Sequence, residues 1–215
     1  MDNYVLASKI HNKYAGLVGS DKIATKLALR IIGEHLDIVK PRSILEIGSG
    51  IGTITEFISS KVPNSIIYCY EANEWCLQQL RKNLKGLNIV ILKLPSEFKL
   101  IQNKIDFLII DDYLDEQTTF DLIRQTQPES IFIEGHRRKQ RLYVMKAYKN
   151  IGCFFRFKNF KGSSDSRKGG VLIFHSPSVS YKQFFYFGYV RMTLLYSKVL
   201  EIRSRIPLRK LFSRN

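Results

Sequence analysis

Two acids and a cluster of glycines carry the clearest chemistry in this chain. Glu46 lies just before Gly48-Ser49-Gly50-Ile51-Gly52, and Glu71 follows the apolar run Ser65-Ile66-Ile67-Tyr68-Cys69-Tyr70. Glycines permit a tight turn and let the backbone approach a ligand closely. A helix starting behind them offers unpaired N–H groups to polar or anionic ligand atoms. An acid about 20 residues after such a loop can accept hydrogen bonds from both hydroxyls of a ribose. The pattern therefore reads as a nucleoside site, although its spacing departs from the G-x-G-x-x-G of dinucleotide loops. Glu46 also reads as a capping acid for the glycine turn. Further on, Asp111-Asp112-Tyr113 and Glu134-Gly135-His136 each close an apolar run. His136, with its near-neutral intrinsic pKa, and Asp111 are the candidate general bases. His136 reads equally well as a surface residue in a basic turn, and Asp112 as a turn or helix cap.

These residues need elements to hold them. Residues 44–47 form a short buried strand, the glycines a turn and 53–60 a helix. The next strand is 65–70, followed by a helix over 73–84, with Trp75 either stacking on a ligand's base or, the favoured reading, packing beneath the helix. Strands over 88–94, 105–110 and 130–133 alternate with helices over 118–125 and 137–150. The run at 105–110 is nearly all apolar, as for a strand buried on both faces. Residues 153–160 and 171–175 read as a closing hairpin around the loop 161–170. Ahead of all this, 2–15 and 20–39 read as helices, the second capped by Ser20 and presenting Ile23, Leu27, Ile31 and His35 to the core. Alternation of strand and helix ending in a hairpin predicts an α/β fold, a doubly wound, mostly parallel, seven-stranded sheet. Such sheets bind ligands at the carboxyl ends of their strands, which gathers the acids at one edge.

Glu46, the glycine loop and Glu71 at the end of the second strand resemble motif I and its neighbour in the class I S-adenosylmethionine-dependent methyltransferases. The resemblance covers about residues 43–176. It implies S-adenosylmethionine as cofactor, with Gly48, Ser49, Gly50 and Gly52 around its methionine end and Glu46 beneath, accepting from the ammonium group or a water. It further implies Glu71 on the ribose and Ala72 and Asn73 near the adenine. Glu97, in Pro95-Ser96-Glu97, stands where the family often has an acid for the adenine amino group. Asp111-Asp112-Tyr113-Leu114 lacks the prolines of the adenine amino-methyltransferases. Asp111 matches one acid of the metal-dependent catechol-type enzymes, but Glu134-Gly135-His136 departs from their pattern, so no metal ligand is assigned. What remains is O-methylation of a small or glycan-like acceptor, with RNA as the alternative acceptor and a non-catalytic module of the same fold as the rival.

The chain has 215 residues, a formal net charge of +15 and an isoelectric point near 9.8, which implies attraction to an anionic partner: nucleic acid, lipid surface or acidic substrate. Cys69, Cys76 and Cys153 form no C-x-x-C pair, which fits a reducing compartment and no structural zinc. No signal-peptide pattern opens the sequence, and a cytoplasmic location is expected. Three parts are expected: a helical cover over 1–40, the cofactor-binding core over 41–176 and a basic amphipathic tail over 177–215. In the tail, 183–205 has helical periodicity, with Phe185, Tyr189, Met192, Tyr196, Val199 and Ile202 on one face. Lys182, Arg191, Lys198, Arg203, Arg205, Arg209, Lys210 and Arg214 stand against the single acid Glu201. This pattern fits a helix docking on the core or on a second copy, or lying on the inner face of a membrane. The basic run Arg137-Arg138-Lys139-Gln140-Arg141 and the hairpin cations Arg156, Lys158, Lys161, Arg167 and Lys168 together suit an anionic acceptor. Residues 163–166 read as a loop able to close over it.

Overall fold

The computed structural model describes residues 2–135, 137–150, 154–160 and 170–176, together with Gly188, Arg191, Met192, Leu195 and Tyr196. Helices and strands alternate: α1 (Asn3–Ala15), α2 (Lys26–Val39), β1 (Ser43–Ile47), α3 (Thr53–Lys61), β2 (Ile66–Tyr70), α4 (Glu74–Asn83), β3 (Ile89–Leu92), β4 (Phe107–Ile110), α5 (Glu116–Thr126), β5 (Ser130–Glu134), α6 (Arg138–Asn150), β6 (Phe154–Phe160) and β7 (Gly170–Ser176). The strands form one sheet in the order β3-β2-β1-β4-β5-β7-β6. Strands β1 to β5 pair in parallel, and β7 is antiparallel to both β5 and β6. This is the seven-stranded, doubly wound sheet expected from the sequence, closing hairpin included.

The sheet is covered on both faces. Ile44, Ile67, Cys69, Phe107 and Ile109 pack with α1, α2, α3 and α4, while Leu45, Ile47, Leu108, Ile110, Ile131 and Ile133 pack with α5 and α6. Alternation along β1 therefore aims Glu46 at the same face as Ile44, toward α3. The His35 side of α2 is buried as expected. His35 Nε2 lies 2.7 Å from Ser130 Oγ, and its ring meets Phe107 and Phe174 edge-on at 4.7 and 5.5 Å.

The second helix starts later than the sequence suggests. Ser20–Lys22 form a single 3-10 turn, and the backbone is extended at Ile23 and Thr25. Thr25 rather than Ser20 caps α2, its Oγ1 accepting from the Ala28 amide at 3.1 Å. The residues released from the expected helix, 20–24, follow Gly19, whose φ is 85°. In the tail, the helix expected over 183–205 lies outside the described residues except at Gly188, Arg191, Met192, Leu195 and Tyr196, which are helical. Met192, Leu195 and Tyr196 are each more than half exposed. The loop expected over 163–166 and the cations Lys161, Arg167 and Lys168 lie outside the described residues, as do Cys153 and the side chain of Arg156.

Candidate active site

The glycine loop is built by two close approaches. The amides of Gly48 and Ser49 both donate to the Tyr70 carbonyl, at 2.8 and 3.1 Å, which folds the loop over the end of β2. Gly48 has φ 81°, and a Cβ there would stand 2.5 Å from Asp112 Cβ, so only glycine lets this loop meet the loop after β4. Glu71 ties the turn to the next element. Its Oε2 accepts from the Gly50 amide at 2.8 Å and its Oε1 from the Asn73 amide at 2.8 Å. Asn73 in turn caps α4 by accepting from the Cys76 amide. Each Glu71 oxygen keeps acceptor capacity beyond these bonds.

Beneath the loop, Glu46 is 0 % exposed. Its Oε2 accepts from Thr55 Oγ1 at 2.6 Å, while its Oε1 is buried with no partner. Burial pushes its carboxyl up to about 8, the Thr55 hydroxyl pulling it partly back and the Glu71 charge adding to the rise. Thr53 Oγ1 is likewise buried and unpartnered. A cavity of about 610 Å³ opens over these groups. Its lining holds five carboxylates, Asp21, Glu46, Glu71, Asp111 and Asp112, against the two cations Lys22 and Arg137. On a protein of net charge +15 this is a local reversal of sign.

At the far end, Arg137 joins the ends of β4 and β5. Its Nη2 lies 2.7 Å from Asp111 Oδ1 and its Nη1 2.6 Å from Glu134 Oε2. The same nitrogens donate to the backbone carbonyls of Asp111 and Glu134. Burial holds the Asp111 carboxyl well above the usual range, opposed by the Arg137 charge and reinforced by Glu134. Behind this cluster, the fully buried Gln140 accepts from the Leu114 amide and donates to Thr119 Oγ1, each at 2.9 Å. That pair of bonds fixes the loop after β4 against α6.

The structure thus gathers most of the predicted residues. Glu46, Gly48, Ser49, Gly50, Glu71, Asn73 and Asp111 line one cavity. Gly52, Ala72 and Glu97 do not. Gly52 caps α3 and backs onto Leu80 and Leu84. Ala72 is exposed, and Glu97 caps the 3-10 turn Pro95–Leu100 by accepting from the amides of Lys93 and Leu94. Asp112 accepts from the amide of the next residue, Tyr113, and lines the cavity, while the cap of α5 is Asp115, which accepts from the Thr118 amide. His136 lies outside the described residues.

Three features depart from the sequence reading. Trp75 is 40 % exposed and forms cavity wall rather than core. Its ring packs on Gly19, where φ is 85° and a Cβ would fall 2.5 Å from Trp75 Cη2. The segment 19–24 lines the cavity, and nothing in its composition marked it out. The basic run after β5 is not one solvated face, for Arg138 and Lys139 are exposed while Arg137 and Gln140 turn inward. A signal for Arg137 was present. A cation at the start of a helix opposes the dipole, and acids three residues before it and at the end of β4 offset that cost.

No protein-family profile matches the chain, and no curated protein does. Solved structures do. An O-methyltransferase from Bacillus cereus in complex with S-adenosylhomocysteine aligns at TM-score 0.61 and 16% identity, over 80% of this chain and 91% of that one. The O-methyltransferase TomG from Streptomyces achromogenes, in complex with S-adenosylmethionine, aligns at TM-score 0.57 and 12% identity, over 82% and 90%. A Podospora anserina methyltransferase, bound to S-adenosylhomocysteine, aligns at TM-score 0.54 and 13% identity, over 80% and 88%. The chain has the fold of the class I methyltransferases.

Proposed function

We propose that this chain is an S-adenosylmethionine-dependent methyltransferase acting on a hydroxyl oxygen of a small or glycan-like acceptor. The observation that carries the reading is the buried Glu46 carboxylate, unpartnered at Oε1, beneath a glycine loop pinned by Glu71. A cofactor ammonium would supply the missing partner of Glu46 and offset its burial. Glu71 has acceptor capacity left for ribose hydroxyls, and a Cβ on Gly50 would meet nothing within 4 Å, so this side of the loop is open to a ligand. Five carboxylates against two cations suit a ligand that brings its own positive charge. The fold, shared with structures that hold this cofactor or its product, supports the reading.

The bound cofactor would supply a methyl group on a sulfonium, an electrophile needing no further activation. The chain's share is to bind, orient and move one proton. Asp111, on the cavity wall, would take the acceptor hydroxyl proton as the oxygen attacks the methyl carbon and the carbon–sulfur bond breaks. Residues of segment 19–24 and Trp75 wall the cavity.

Calorimetric titration of S-adenosylmethionine and S-adenosylhomocysteine into the protein and its Glu71→Ala variant tests the reading. Micromolar binding abolished in the variant is expected. No binding to well-folded protein, with or without Mg²⁺, would leave a non-catalytic module of this fold. RNA as acceptor predicts association that weakens steeply with salt. For the tail we favour contact with an anionic lipid surface from a cytoplasmic location. The exposed Met192, Leu195 and Tyr196 fall at helical spacing in a segment with eight Lys or Arg and one acid. Co-sedimentation with anionic but not zwitterionic vesicles is expected, whereas a dimer in gel filtration would favour a second copy as its partner.

A further inference from the structure

Asp111 and Glu134 converge from neighbouring parallel strands, and each side chain is only 13% exposed. Two carboxylates this deeply placed repel one another and persist together only with a proton or a cation between them. Arg137 provides the cation. Its two terminal nitrogens reach one carboxylate each and also the backbone carbonyls of the same two residues. Four of its five N–H donors are thereby engaged. The fifth, on Nε, is buried. A divalent ion joining the same two carboxylates would stand where the guanidinium stands. With one or both acids ionised the cluster carries no net positive charge, and Asp112 also lies on the cavity wall.

We propose that Arg137 is a built-in counter-cation for the acceptor end, holding the Asp111 carboxylate at the cavity wall without a divalent metal and fitting the site to a neutral hydroxyl acceptor. The inference rests on the methyl-transfer reading of the same cavity. It replaces the anionic acceptor that the basic run suggested, since the one arginine of that run on the cavity wall is already neutralised by acids. Arg137 acts through Asp111 and is a positioning residue.

The test is Mn²⁺ binding followed by electron paramagnetic resonance. The wild-type protein is expected to leave the free-ion signal undiminished at millimolar metal. An Arg137→Ala variant, shown folded by circular dichroism, opens the space between two buried carboxylates. It is expected to bind Mn²⁺ at least about tenfold more tightly, the gain being lost when Glu134→Gln is added. Wild-type binding that Asp111→Asn removes would overturn the proposal. So would a folded Arg137→Ala variant with no gain. The wild-type measurement decides even where that variant does not fold. Titration of S-adenosylhomocysteine into wild-type protein, read by the fluorescence of the sole tryptophan, Trp75, separates the two ideas. Its failure sinks the cofactor reading and leaves the ion cluster as a purely structural clamp.

Discussion

Glu46 makes cofactor affinity depend on pH in a way that can be worked out beforehand. Its carboxyl is fully buried and pushed up to about 8, so without ligand it is mostly protonated at neutral pH. An ammonium partner requires the ionised form, so apparent affinity scales with the ionised fraction. That fraction is about one half at pH 8 and about 3 % at pH 6.5, which predicts affinity about sixteenfold weaker at the lower pH. Binding should also release a proton, visible as a dependence of calorimetric enthalpy on buffer. Glu46→Gln keeps the size and removes the charge. It should weaken binding at pH 8 by about 1.5–3 kcal/mol, the worth of a charge-assisted bond, and flatten the pH profile. The same substitution should stabilise the unliganded protein. A carboxyl raised from 4.5 to about 8 on folding costs stability as pH rises between those values, about 5 kcal/mol by pH 8. For a chain of this size, that is a gain of about 10 °C or more in Tm for the variant at pH 8. A pH-independent affinity, or an equal slope in wild type and Glu46→Gln, would refute the reasoning.

Other outcomes follow from single side chains. Burial lowers His35 to about 4, so the unfolded chain takes up its proton first as pH falls. Stability is lost from pH 6.5 downward, reaching about 3 kcal/mol near pH 4, and urea titrations of wild type and His35→Gln should show the slope and its disappearance. Gln140→Leu strands the Leu114 amide and removes the bond that Thr119 Oγ1 accepts, while that hydroxyl keeps its donation to the Asp115 carbonyl, costing about 1–3 kcal/mol in urea unfolding. Gly19→Ala forces a Cβ against the Trp75 ring at a positive φ, and a shift in the Trp75 emission maximum with weakened cofactor binding is expected.

What the sequence disclosed and what it withheld differ in kind. The placement of Glu46, the glycine loop and Glu71 was legible because it rests on local geometry: a turn that needs glycine, and acids in and at the ends of strands. The doubly wound sheet was legible because an apolar run such as 107–110 has nowhere to go except a doubly covered sheet position, although its place in the strand order was not. Segment 19–24 and Trp75 were hidden because their place depends on where α2 begins. Thr25 decides that through one hydrogen bond to Ala28, in competition with an equally plausible cap at Ser20. Glu97 misled because an acid shortly after a strand serves a ligand or a helix turn equally well, and here two backbone amides claim it.

Charge was the least local property, and the site turns on it. Summed over the chain, the excess of Lys and Arg points to an anionic partner. Resolved in space, the cavity gathers five carboxylates, and one of its two cations is held between acids. The two signs serve different tasks. The net positive charge bears on what the protein approaches, and eight of the chain's Lys and Arg residues fall beyond residue 176 in the sequence. On the proposed reading, the acidic cavity suits a cationic cofactor better than its neutral product. Transfer of the methyl group removes the ligand's sulfonium charge while the carboxylates stay in place. On that reading the residues that attract the cofactor would hold the spent product less strongly, and a weaker affinity for S-adenosylhomocysteine than for S-adenosylmethionine in the calorimetric titration is expected.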